Sequence, residues 1–340
     1  MKRFGLNNVV DLRGRGARAS GGPEASAPDA AAPAPAAQQA RSIVAFGGGK
    51  GGIGKSLVAA NVGIALARAG HRVLLVDADL GGANLHTCLG VPQPAATLSD
   101  FVLRGVPLAK LAVPTGIEGL ALVSGALDAL DAANPRAKAR SKLLEELQAQ
   151  DVDYLLLDLG AGTGVHTLDF FLLANHGVLV VLPEPTSVEN TYRFLKASLF
   201  RRLQQLAREL GVERVAEGAL GSRDSALRTP ADVVAHVRES DPAAAEALAT
   251  ALQSYRVKLV VNQIRAPADE SVGPAVASAW KKFFGLEMDY LGGIPYDDAA
   301  WRAVRRRRPL LVDTPESEAA KQLQAVASRL ASLDAETPRR

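Results

Sequence analysis

Cysteine is almost absent from this 340-residue chain: Cys88 is the only one. An internal disulfide is therefore excluded, as is any metal cluster held by several cysteines of one chain. Aromatic residues are scarce too, at 5%, so the core must be built mostly from alanine, valine and leucine. No uninterrupted apolar run approaches about 20 residues, so no membrane-spanning helix is expected. The Lys2-Arg3 start leads into no sustained apolar region. A secretory signal is not expected, and the reading is a cytoplasmic protein. The five histidines (His71, His86, His166, His176, His236) lack metal spacing such as His-x-x-x-His and read as surface or core residues. What is present is ordinary for a globular chain, 48% hydrophobic and 22% charged, enough for one large domain or two small ones.

Charge of either sign is nearly balanced, with a formal surplus of +3. Residues 1–40 hold five basic and three acidic side chains, which leaves 34 against 33 over residues 41–340. Nonspecific DNA binding needs clustered Lys and Arg. The one dense cluster is Arg305-Arg306-Arg307-Arg308, just before Pro309. It reads as a DNA or acidic-lipid patch, or as a solvated helix end whose cations complement the dipole. The solvated end is the simpler reading.

The chain opens unevenly. From Ala17 to Ala40, 19 of 24 residues are Ala, Pro, Gly or Ser. Such a stretch buries too little apolar area to offset its ordering entropy, so residues 1–40 are expected to be a disordered tail. Within it, Phe4, Leu6, Val9, Val10 and Leu12 lie among four basic residues, a short docking peptide or a plain disordered start.

Chemistry enters at Gly47-Gly48-Gly49-Lys50-Gly51-Gly52-Ile53-Gly54-Lys55-Ser56. Gly49 to Ser56 matches G-x-x-x-x-G-K-[ST]. An apolar run, Ser42 to Phe46, precedes it, and an Ala- and Leu-rich segment without proline, Leu57 to Ala69, follows. Strand, glycine loop and helix form the context in which this pattern cradles phosphates. Backbone N–H groups point at the anion and the helix adds its positive end. Lys55 is expected to reach the terminal phosphates, and Ser56 to ligate Mg²⁺. Lys50 is a second lysine that the ordinary pattern does not require.

Carboxylates follow at two strand ends. Arg72 to Val76 runs into Asp77-Ala78-Asp79, and Tyr154 to Leu157 into Asp158-Leu159-Gly160-Ala161-Gly162. Open α/β sheets bind ligands at the carboxyl ends of their strands, and magnesium prefers hard oxygen ligands.

Lys50-Gly51-Gly52-Ile53-Gly54-Lys55-Ser56 resembles the deviant Walker A signature of the MinD/ParA ATPases. The resemblance continues at Leu80 to Leu85, at Leu182-Pro183-Glu184-Pro185-Thr186-Ser187, at Val260-Val261-Asn262 and at Ile294-Pro295-Tyr296-Asp297. It is nearest the FlhG/FleN and MinD branch and covers roughly residues 41 to 330. It implies an ATPase using ATP and Mg²⁺, a homodimer when ATP is bound, and spatial regulation of flagella or division. The phosphate site would be Gly49, Lys50, Gly51, Gly52, Ile53, Gly54, Lys55, Ser56 and Leu57. Ser56, Asp77 and Asp158 would hold the metal, and Asp79 would orient the attacking water. Lys50 would cross to the partner's nucleotide, the alternative being a solvated loop charge. Asn262, Pro295, Tyr296 and Asp297 would line the base. The nitrogenase iron protein and Mrp-type carriers share such glycine loops, but they use cysteine ligands that this chain lacks. The Asp-Gln-Ala activation motif of some FlhG proteins is absent.

Two other readings are a ParA-like DNA partition ATPase and a nucleotide-gated scaffold with little turnover. A protein partner is implied without being identified. The family's basic amphipathic membrane helix is poorly matched, because only Lys321 and Arg329 accompany the stripe of Leu323, Val326, Ala327, Leu330 and Leu333. That stripe is expected to pack on the sheet. The localisation read from these features is cytoplasmic, with peripheral attachment to the inner membrane as an option.

The expected fold is α/β, a doubly wound, mainly parallel P-loop NTPase sheet of the SIMIBI-like kind with helices on both faces. The ATPase domain would span 41–335, with helices inserted at 209–254, read as decoration or a partner-specific insertion. Strands are expected near Ser42–Phe46, Arg72–Val76, Leu120–Val123, Tyr154–Asp158, Val178–Leu182, Val257–Val261 and Tyr290–Gly292. Helices are expected over Ser56–Ala69, Pro135–Gln150, Ser187–Leu206, Val272–Phe284, Asp297–Arg306 and Glu316–Leu333.

Overall fold

Strands buried on both faces read as unbroken apolar runs, and three such runs make the centre of the sheet: β1 (Ser42–Gly47), β2 (Val73–Ala78) and β5 (Tyr154–Leu159), every residue of them buried. The computed structural model describes Ala40 and residues 42–79, 82–125, 137–215, 229–253 and 255–336. Residues 1–39 of the expected tail lie outside these residues, as do Leu80-Gly81, Pro135 and the stretch 216–228.

The remaining strands are β3 (Val113–Pro114), β4 (Leu120–Val123), β6 (His176–Val181), β7 (Val257–Ile264) and β8 (Met288–Pro295). Their order is β3-β4-β2-β5-β1-β6-β7-β8. All neighbours are parallel except β3 against β4. This is the doubly wound, mainly parallel sheet expected from the sequence. The two-residue β3 was not foreseen, because a Val-Pro pair has no periodicity to read.

Alternation along each strand divides the core. Ile43 and Ala45 face one side of β1, and Val44 and Phe46 the other. On the Val44 side lie α1 (Lys55–Arg68) and the final described helix, α12 (Glu318–Glu336). Leu323, Val326, Ala327 and Leu330 of α12 are buried there, so the C-terminal stripe does pack on the sheet. Asp334 fastens its end, accepting from Tyr154 Oη at 3.3 Å and facing His176 Nε2 at 3.1 Å.

The Ile43 side is covered by α3 (Leu98–Arg104), α4 (Ala137–Gln148), α5 (Val165–Leu173), α6 (Pro185–Glu209), α7 (Pro230–Ser240), α8 (Pro242–Gln253) and α9 (Val272–Phe284). Pro185 suits the first turn of α6, where its missing N–H costs nothing. Val233, Val237, Ala245 and Leu248 of α7 and α8 join this same core layer.

Candidate functional site

The glycine loop leaves the centre of the sheet between β1 and α1, and at Gly49 and Gly54 its neighbours leave no room for a side chain. A Cβ at Gly49 would overlap the Asn190 carbonyl of α6, and one at Gly54 would overlap Asn262 Nδ2. Gly54 also adopts φ 90°, a left-handed conformation that favours glycine. Asn262 at the end of β7 braces the loop: its Nδ2 donates to the Ile53 carbonyl at 2.8 Å, and its Oδ1 accepts from Gln263 N at 3.0 Å. Its amide is thus turned to the loop, not to open space.

The two loop lysines differ sharply. Lys55 is buried, and its Nζ donates to the Lys50 carbonyl at 3.4 Å. Burial lowers its pKa, while Asp158 and Asp79 pull it back up. Lys50 stands at the lip, with Nζ 3.7 Å from Glu184 Oε2. Glu184 lies in the Pro-Glu-Pro segment and is the N-cap residue of α6. Its link to Lys50 was not apparent from sequence.

The aspartates gather opposite. Asp77 and Asp158 are register partners at the carboxyl ends of β2 and β5. Both carboxyls sit above the usual range, burial being the main cause; Asp158 pushes Asp77 further, and Asp79 pushes both. Asp77 accepts from Asp79 N at 3.2 Å and from Leu85 N at 2.9 Å. It thereby ties the start of α2 (Leu85–Leu89) to the sheet. Asp158 takes a hydrogen bond from the Ser56 hydroxyl, while its buried Oδ1 has no hydrogen-bond partner among the described residues. Asp79 packs its carboxylate against Gly160, where a Cβ would stand 3.1 Å from Oδ1. The loop after β2 and the turn after β5 therefore meet at Asp79.

This donor set fits the groups it would hold. An unpartnered carboxylate oxygen beside a hydroxyl suits a hard divalent cation. A buried lysine within a ring of glycine amides suits phosphate. Gly51, Gly52, Ile53 and Leu57 complete the loop and the first turn of α1.

The third segment is farther along the sheet edge. Pro295 ends β8, and Tyr296 N donates to the Ile264 carbonyl at 2.8 Å. The exposed Tyr296 ring carries the Arg265 guanidinium 3.8 Å from its centroid, a contact with no sequence signal. Asp297 caps α10 (Asp298–Arg305) by accepting from Ala299 N at 2.8 Å.

Residues 39–206 match the family profile described as "ParA: NUBPL iron-transfer P-loop NTPase". An uncharacterised ATP-binding protein of Methanocaldococcus jannaschii is 32% identical over 51% of this chain and 68% of that protein. The chain belongs to the ParA family of P-loop NTPases. Its ParA-type relatives include the antiactivator FleN of Pseudomonas aeruginosa, 26% identical over 85% of this chain and 86% of FleN. The septum site-determining protein MinD of Pyrococcus horikoshii, solved with Mg-ADP, shares the fold at TM-score 0.60 and 21% identity, covering 87% of this chain and 99% of MinD. Among the described residues, no helix of this ParA-family protein is long and apolar enough to cross a membrane.

Proposed function

We propose that the protein is a Mg²⁺-dependent ATPase of the MinD/ParA type that dimerises with ATP bound and hydrolyses it to ADP and phosphate. It acts as a spatial regulator of flagellar placement or number, or of the division site. The biological half of this reading rests on the likeness to FleN and MinD. The mechanistic half rests on one contrast: Lys55 is buried inside the loop, whereas Lys50 is exposed at its rim.

Lys55 and the loop amides hold the β- and γ-phosphates. Ser56 and Asp158 hold Mg²⁺, which when bound neutralises charge on the phosphate oxygens. Asp77 keeps the neighbouring loop in place beside them. Asp79, set against Gly160, orients the water whose oxygen takes the γ-phosphoryl group as ADP leaves. Lys50 leaves Glu184 and lends its charge to the nucleotide of the partner protomer. Such chemistry depends on positioning and electrostatics more than on covalent catalysis. Pro295, Tyr296 and Asp297 serve the base, and Asn262 serves it through the loop it braces.

Iron transfer, which the description of the family profile names, finds no support in Cys88. It is the only cysteine, and burial pushes its thiol up to about 12, away from the thiolate a metal needs.

Sedimentation with a non-hydrolysable ATP analogue tests the reading. Lys50→Ala keeps nucleotide binding and stays monomeric, whereas Lys55→Ala loses the nucleotide. Asp79→Ala binds ATP without releasing phosphate, and as a trapped dimer it should retain its protein partner in a pull-down. A Lys50→Ala protein that dimerises normally would overturn the role across the dimer.

A further inference from the structure

The sequence singled out an apolar stripe on the last helix and the Arg305–Arg308 cluster before it, and the fold treats the apolar residues of the two regions oppositely. The stripe of α12 is buried against the sheet. On α10, by contrast, Ala299 and Ala303 face the core, while Trp301 is 57% and Val304 41% exposed. Residues three apart on a helix share a face, so Trp301 and Val304 form one apolar spot in solvent. Arg305 lies over the Trp301 ring, 4.7 Å from its centroid. In the turn that follows, Arg306 and Arg308 pair with Asp313, the last residue of α11 (Leu310–Asp313), at 3.1 and 3.6 Å. Arg302, Arg305 and Arg307 are exposed and form no ion pair among the described residues.

We propose that this face, Trp301 and Val304 with Arg302 and Arg305 on the same helix and Arg307 in the turn that follows, docks on a membrane surface bearing anionic lipid. Tryptophan and aliphatic side chains settle at the headgroup boundary, and each unpaired arginine meets a lipid phosphate. Duplex DNA fits less well. It has no use for exposed Val304, one face of the indole is covered by Arg305, and residues 41–340 carry only one surplus positive charge, 34 basic against 33 acidic, which gives a polyanion little net attraction. The arginine turn also touches the nucleotide end of the fold. A Cβ at Gly90, which caps α2, would overlap the Arg307 carbonyl, and the start of α2 is held by Asp77. The proposal does not depend on ATP hydrolysis, so it can fail independently of the ATPase reading.

The test is co-sedimentation of the full chain with vesicles of phosphatidylglycerol and phosphatidylcholine, compared with phosphatidylcholine alone. Tryptophan emission is recorded alongside; the other tryptophan, Trp280, is 2% exposed and supplies a constant background. Binding to the anionic vesicles alone is expected, with a blue shift of the emission. Arg302→Ala and Arg305→Ala should each weaken binding about fivefold, and Trp301→Phe should abolish the shift. Lys321→Ala, which removes the same charge from the outer face of α12, should change nothing. Absence of binding to anionic vesicles overturns the proposal. So does an equal loss in Lys321→Ala, or retention on duplex DNA that needs Arg302 and Arg305 while vesicles are ignored.

Discussion

Lys50 Nζ lies 3.7 Å from Glu184 Oε2, with the two side chains 45% and 52% exposed. An ion pair this open contributes about 0–1 kcal/mol, so Lys50 can leave it at little cost. Glu184→Ala should therefore shift thermal stability by no more than about 1 kcal/mol. Nucleotide binding and ATP-dependent dimerisation, followed by titration and sedimentation, should persist. Loss of dimerisation in Glu184→Ala would mean that the pair itself, and not the released lysine, belongs to the assembled state.

Gly54 and Asn262 make a second test, because two separate penalties meet at one position. Gly54→Ala places a side chain at φ 90° and into Asn262 Nδ2. The backbone alone costs about 1–2 kcal/mol. The expected result is lost stability and strongly weakened nucleotide binding. Adding Asn262→Ala removes the overlap but not the backbone strain, so the double variant should recover only part of the lost stability. Full recovery in denaturant titration would show that the left-handed conformation is not the constraint.

Asp169 of α5 is 6% exposed and holds α4 and α6 together. It pairs with Arg140 at 3.0 Å and with Arg201 at 2.9 and 3.2 Å. Removing one member of a buried pair leaves the other charge uncompensated. Asp169→Ala should cost about 3 kcal/mol, the low end for such sites because both arginines keep a path to water. A change below about 1 kcal/mol in chemical unfolding would refute the bridging role.

Asp334 carries a pH signature. Burial pushes its carboxyl up, but the hydrogen bonds with His176 and Tyr154 and the charge of His176 outweigh this and hold it below the usual carboxylate value. A folded pKa below the unfolded one stabilises above the unfolded value, near 3.9, and that stability fades as pH falls through the folded value. The melting-temperature advantage of the wild type over Asp334→Asn should be full at pH 7 and shrink below about pH 4. An advantage that is constant with pH would mean that the carboxylate charge is not what fastens α12.

The glycine loop and the central strands were legible because their signals are local. A phosphate loop needs glycine, lysine and serine at fixed offsets between a strand and a helix, and Gly49 to Ser56 displays them in order. Buried parallel strands need unbroken apolar runs, and Tyr154 to Leu157 is one. Short elements escaped: α2, five residues long, and the Val-Pro strand β3 are too brief for periodicity to mark.

Side-chain allegiance was decided only in three dimensions. Nothing local says that Asn262 will hold the Ile53 carbonyl 209 residues away, that Arg265 will lie over Tyr296, or that Asp77 and Asp158 will stand side by side across two strands. The apolar stripe of α12 and the Arg305–Arg308 cluster were both readable, but only packing shows that the sheet buries the stripe and leaves Trp301, beside the cluster, in solvent. Composition and spacing determine which elements form, because those forces act within a few residues. Packing determines which charges meet and which apolar faces stay open, because burial depends on what the rest of the chain brings alongside.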